Sequence, residues 1–274
     1  MKKNLKMRML GGILLLLEVI LFISFPLFAS TKGTLRVEPV RFEFPLPRGY
    51  KHTAALTVSN TYEYSIRLKA KVYDFDVDER GNMIPLKAST TPLSCSSWIK
   101  FNPREFEVSP GERQVVRFTV HAPKDAIAGE HRCVIIFETP PVAKEGTVAV
   151  VLNIGVVVYA AVPEIKRSCK INNIEVYYEK GILEFMVELY NSGNARFRGK
   201  GEYKIKNNKG DIIFEDKFPY FTVMPDKVLL IPLEKEIELT SGNYTFSLEL
   251  KERARGNPPP FSKEINFEVK EGGK

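Results

Sequence analysis

Turn residues punctuate this chain about every ten positions, and the stretches between them either alternate apolar with polar or run apolar without a break. Helical periodicity is nearly absent. Alternation of period two buries one face of a strand and wets the other, so a chain written this way folds as sheets packed on sheets. Thr53 to Ser59 puts Ala54, Leu56 and Val58 on one face. Ser65 to Val77 puts Ile66, Leu68, Ala70 and Val72 on one face and Arg67, Lys69 and Lys71 on the other. Pro39 interrupts the first strand, Leu35 to Phe44, and confines it to an edge or to a strand that switches sheets. The fold class is read as all-β: two β-sandwich domains in tandem after an N-terminal signal segment.

Residues 1–29 read as an address rather than as fold. Lys2, Lys3, Lys6 and Arg8 precede an apolar run from Met9 to Leu27, and Ala29 offers a small residue for cleavage. The run is also long enough to span a bilayer, so an uncleaved anchor is the alternative. Either way the remainder is expected in the periplasm or cell envelope, touching a membrane only through that segment. The remaining residues, about 245, suit two domains of ordinary size. Their expected bounds are 30–163 and 164–274, with the boundary near Val162-Pro163-Glu164.

The formal net charge of +7 falls to about +4 when the leader's four basic residues and one acidic residue are removed. Lys and Arg are dispersed among Asp and Glu, with no basic stripe interleaved with aromatics, so nucleic acid is not an expected partner. The exported part holds Cys95, Cys133 and Cys169, at spacings that match no zinc pattern. An oxidising compartment permits one disulfide, and Cys95–Cys133 is the candidate because both fall in the first domain; reduced structural cysteines are the other reading. His52, His121 and His131 form no metal or nucleophile motif, and His131 is read as structural. No phosphate-cradling loop occurs. No catalytic residue, metal or cofactor is assigned, and the chain is not read as an enzyme. Asp74, Asp76 and Asp78 alternate ahead of Gly81, but Pro85 stands where a calcium loop needs its closing glutamate. They are read as a solvated strand face.

The last strand of the first domain is expected over Thr147 to Val162, and it is apolar on both sides. Val148, Val150, Leu152, Ile154 and Val156 share one face. Ala149, Val151, Val157 and Tyr159 share the other. Burial on both faces by the second domain explains such a run. So does an edge strand that offers apolar side chains to an incoming partner strand.

Several segments occur together in a telling order: Val40-Arg41-Phe42-Glu43-Phe44, Leu56-Thr57-Val58-Ser59-Asn60, Ser97-Trp98-Ile99, Phe106-Glu107-Val108-Ser109-Pro110-Gly111 with Val115-Val116-Arg117, Phe137-Glu138-Thr139-Pro140-Pro141, and the apolar strand ending at Tyr159. Over roughly residues 34–163 this order resembles the N-terminal immunoglobulin-like domain of PapD-type periplasmic pilus assembly chaperones. The second domain looks more like a generic fibronectin or adhesion-type sandwich. The resemblance implies a protein that binds pilin-like or other envelope subunits by β-strand addition along the last strand of its first domain, through Val148, Val150, Leu152, Ile154 and Val156. It also implies a cleft arginine and a cleft lysine that hold the subunit's C-terminal carboxylate. Arg41 stands at the arginine's place. No Lys or Arg occurs between Thr147 and Val162, where the lysine belongs. The alternative is a structural or scaffolding protein of the cell envelope, with sandwiches that dock other proteins.

Overall fold

The first strand breaks at Pro39 and changes sheets: Leu35–Glu38 (β1) joins one sheet and Arg41–Pro45 (β2) the other. The computed structural model describes residues 33–140, 152–253 and 258–270. The signal segment, Val148 and Val150 lie outside the described residues. Beside β1 run Lys51–Asn60 (β3), Arg113–His121 (β8) and Ile99–Asn102 (β6). In the facing sheet, Asn153–Val162 (β10) lies next to β2, followed by Gly129–Glu138 (β9), Ile66–Val77 (β4) and Met83–Leu86 (β5), and Glu105–Val108 (β7) also pairs with β4.

The second sandwich packs Cys169–Glu179 (β11), Ile182–Asn191 (β12) and Val228–Glu236 (β15) in one sheet. Its other sheet orders Ile212–Val223 (β14), Phe197–Lys206 (β13), Gly242–Glu252 (β16) and Phe261–Val269 (β17). All these strands belong to one compact unit, Leu35–Lys274. Among the described residues, no helix is long and apolar enough to cross a membrane.

Alternation decides what is buried. Leu56, Val58, Leu68, Ala70, Val116, Phe118, Ile135 and Phe137 fill the first core. Leu183, Phe185, Val187, Ile205, Phe246 and Leu248 fill the second. Each of the larger ones stabilises the fold by about 1.5–3 kcal/mol relative to an exposed side chain.

Both sandwiches share a polar joint. Asn60 ends β3, and its buried amide donates to Tyr64 O (2.8 Å) and Val108 O (2.9 Å) while Oδ1 accepts from Tyr62 N. Asn191 ends β12 and does the same with Ala195 O and Val223 O (both 2.8 Å) and Gly193 N. One amide thus satisfies the backbone of a tight corner that sheet pairing leaves without partners.

Two of the three aspartates of β4 and its turn differ from the solvated face expected of them. Asp74 is fully buried. It accepts from Thr90 N (2.8 Å), Thr91 N (2.9 Å), Thr91 Oγ1 (3.2 Å) and Ser94 Oγ (2.6 Å). Asp76 meets Lys227 of the second sandwich at 2.6 Å. Asp78 alone fits the hairpin reading, accepting from Arg80 N and Asn82 N. Pairing on β4 leaves the strand's inner side to the loop that returns over it, and the carboxylate is what fastens that loop. Trp98 is half-buried in a short 3-10 turn, Ser96–Trp98, against His131 with ring centroids 4.3 Å apart. His131 is structural: its ring nitrogens each lie 3.0 Å from a carbonyl, Ser94 O and Ile127 O.

Candidate functional site

β10 is paired unequally along its length. Against β9 it is antiparallel from Asn153 to Val162. Against β2 it is parallel only over Val157 to Ala161, opposite Arg41 to Pro45. Thr139 N donates to Leu152 O, so the even-numbered residues direct their backbone groups toward β9. The odd-numbered residues direct theirs away from it. Val157 N accordingly donates to Val40 O (3.0 Å), and Ala161 O accepts from Leu46 N (2.8 Å). Asn153 and Gly155 have the same outward parity, and among the described residues no strand lies beside them. Among the described residues the N-terminal half of β10 is therefore an open edge, and the C-terminal half is covered by β2.

Side chains divide the strand in the same way. Val156, Val158 and Ala160 are fully buried in the first core, and Ile154 packs against it from a half-buried position. Leu152 is half-buried, and Asn153 and Gly155 are exposed. Of the apolar residues expected to meet a subunit, Val156 is core rather than contact surface, because its parity turns it between the sheets. On the opposite face, Tyr159 and Val157 pack with Phe75, Val134 and Met224 of the second sandwich. The second sandwich thus packs on the C-terminal half of the run, and no described strand pairs with the outer side of Asn153 and Gly155.

Beside β2, the second sandwich brings cations to the same place. Arg41 is exposed, opposite Val157 in register, and its guanidinium lies 3.8 Å from Glu43 Oε1. Arg198 of β13 reaches that same oxygen at 3.4 Å, with its side chain partly exposed. Arg196, at the end of the preceding loop, is buried; it meets Glu43 Oε2 at 2.7 Å and lies with its guanidinium carbon 3.4 Å from the Tyr159 ring centroid. Arg196 Nε also lies 3.0 Å from Glu130 Oε1, a charge contact that lacks hydrogen-bond alignment. Arg196 N supplies a further donor to the same oxygen at 3.3 Å. Burial pushes the Glu130 carboxyl up, against the downward pull of Arg196. Three guanidinium groups thus face the carboxylates of Glu43 and Glu130, which leaves local positive charge in surplus.

The surrounding contacts hold this crease closed. Glu130 N donates to Asn194 O (2.8 Å), and Asn194 Nδ2 donates to Ala128 O (3.2 Å). Gly129 has φ of +144°, and a Cβ there would come within 2.8 Å of Asn194 O, so only glycine fits. Farther along, Leu230 N donates to Glu79 O (2.7 Å) beside the Lys227–Asp76 pair. Burial would raise the Asp76 carboxyl, but the bonds from Lys227 and Val77 N outweigh it and hold it below the usual range.

Sequence reasoning singled out Arg41 and the strand, but not Arg196, Arg198 or Glu130. Glu43 entered only as part of a segment, without a role. Nothing local marks the arginines, since their importance comes from a partner more than a hundred positions away. The candidate cysteines do come together: Cys95 and Cys133 are both buried thiols, with sulfurs 2.7 Å apart.

No family model and no curated protein matches the chain. Among solved structures it is similar to the class 5 fimbriae chaperone CfaA, at 14% identity and a TM-score of 0.49 over 84% of this chain and 98% of that one. A chaperone–tip adhesin complex of CFA/I fimbriae biogenesis gives 12% identity and the same TM-score, 0.49, over the same shares, 84% and 98%. The CsuC–CsuE chaperone–tip adhesion subunit complex of Acinetobacter baumannii gives 13% and 0.43, over 85% of this chain and 98% of that one. At such identities the likeness concerns the fold.

Proposed function

We propose that this protein is an exported, periplasmic chaperone-like binder of unfinished sandwich subunits, pilin-like or of other envelope proteins, which it holds by strand addition along the free half of β10. The observation that carries the reading is the one-sided pairing of that half. Asn153 and Gly155 aim backbone donors and acceptors at a lane that no described strand fills, and an extended segment that enters it satisfies them. Leu152 and Ile154 add apolar surface beside that lane. The role is binding, not catalysis.

The cations at the end of the lane support an anchor for a C-terminal carboxylate. The lysine that the resemblance calls for is absent, but Arg198 reaches the Glu43 oxygen that Arg41 faces, from the other sandwich. Two partly exposed guanidinium groups above one carboxylate leave charge for another anion, by charge-assisted bonds.

Asn153→Pro tests the lane. Its amide points away from β9, so proline removes an outward donor and leaves the β9 ladder intact. Capture of a co-expressed subunit that lacks its last strand is expected to weaken by roughly tenfold or more. Asn153→Ala keeps the amide and is expected to capture normally. Equal capture by wild type and the folded proline variant would remove the proposal.

A further inference from the structure

We infer that Cys95 and Cys133 form a modification site: in an oxidising compartment they close into a disulfide that ties the segment leading into β6 to β9, next to β10. Both side chains are fully buried, and their sulfurs stand 2.7 Å apart, closer than non-bonded sulfurs pack. Forming the bond brings them to about 2.05 Å.

The backbone holds Cys95 in place independently of any bond. Cys95 N donates to Arg132 O (3.2 Å), Arg132 N to Leu93 O (2.8 Å), and Ser94 is fastened to Asp74. From Cys95 the chain passes through the 3-10 turn into β6, in the sheet opposite β9. Ser94 is bridged in parallel to Arg132 of β9, so Cys95 starts that crossing from β9's own layer, and a Cys95–Cys133 bond fastens the start of the crossing to β9. Cys133 is directly opposite Val158 of β10 in register, and Cys95 Sγ lies 4.0 Å from Val158 O. The bond would sit next to the strand that carries the open edge. The third cysteine does not compete: Cys169 packs against the second core, where burial pushes its thiol up to about 12.

The step requires an oxidant, a small-molecule or protein disulfide. One cysteine thiolate attacks it, a mixed disulfide forms and one thiol departs. The second cysteine thiolate then attacks the mixed disulfide and expels the other thiol. The two protein thiols lose two protons and two electrons, and the oxidant is reduced to two thiols. Burial raises the Cys133 thiol well above its ordinary range, and neither sulfur meets solvent. Exchange therefore precedes closure of the sandwich, and the folded bond is shielded from reductant. None of this depends on what β10 binds.

The test refolds the full chain in a buffer of oxidised and reduced glutathione, denatures it without reductant and adds a maleimide. One label per chain, on Cys169, is expected, with a mass two hydrogens below that of the trithiol. Reduction after denaturation and refolding should lower the thermal midpoint by ~5–10 °C. Three labels would overturn the inference. Cys95→Ala is expected to show two labels; none there means that Cys133 pairs with Cys169, which overturns it too.

Discussion

Arg196→Ala is expected to destabilise the protein by roughly 3–5 kcal/mol, one of the two largest losses that a single substitution outside the cores should cause. The guanidinium sits between Glu43 and Glu130 and against the Tyr159 ring, with almost no exposure. A buried ion pair contributes little net stability when intact, because both ions were drawn out of water. Removing one partner leaves the other charge buried without compensation. Glu130 carries that cost, since burial already holds its carboxyl above the ordinary value. For an acid whose folded pKa is raised, the folded state binds the proton more tightly, so stability rises as pH falls through that raised value. Arg196→Ala is therefore expected to recover part of its loss as pH is lowered from neutrality toward the carboxylate range, and adding Glu130→Gln should recover it at neutral pH. Urea unfolding at several pH values checks this. A loss that is the same at every pH and unaffected by Glu130→Gln would show that the pair carries no such strain.

Asp74→Ala should cost a similar amount, roughly 3–4 kcal/mol, for the opposite reason. Here a carboxylate is well satisfied, and its removal leaves the Thr90 and Thr91 amides and the Ser94 hydroxyl without their acceptor. Burial alone would raise the Asp74 carboxyl; the hydroxyl and amide donors outweigh it and hold it below its ordinary value of 3.8. Its stabilisation is thus complete above that ordinary value and is lost as pH falls below it toward the depressed folded value. The variant should lack that acid-dependent component. The reporter is built in: Trp98, the only tryptophan, lies just beyond the loop that Asp74 fastens. Its emission should shift to the red in Asp74→Ala before global unfolding. An unshifted spectrum with unchanged stability would mean that the loop is held by its other contacts, His131 among them.

These two residues show where a sequence stops being readable. The alternation of β3 and β4 was legible because it depends on neighbours two places apart. So was the sheet switch at Pro39, because a missing amide acts on the spot. Asp74 looked like one of three exposed aspartates on a strand. Its partners are a loop some sixteen to twenty positions on, and alternation says nothing of a loop that folds back. Arg196 and Arg198 were illegible for the same reason at longer range: their meaning lies in Glu43, on the other sandwich. The apolar run toward Val162 was legible as unusual, and its two explanations were both present in the pattern. Composition could not divide them, because the division is made by β2, which pairs with β10 only from Val157 onward.

The free half of β10 is best tested by residue-resolved amide exchange, with and without a strand-lacking subunit. In the free protein, Ile154 and Val156 amides should be protected by β9, while Asn153 and Gly155 amides exchange fast. Adding the subunit should protect Asn153 and Gly155 and leave Ile154 and Val156 as they were. Protection of Asn153 and Gly155 in the free protein, or fast exchange that persists in the complex, would contradict the account of β10 as the binding edge.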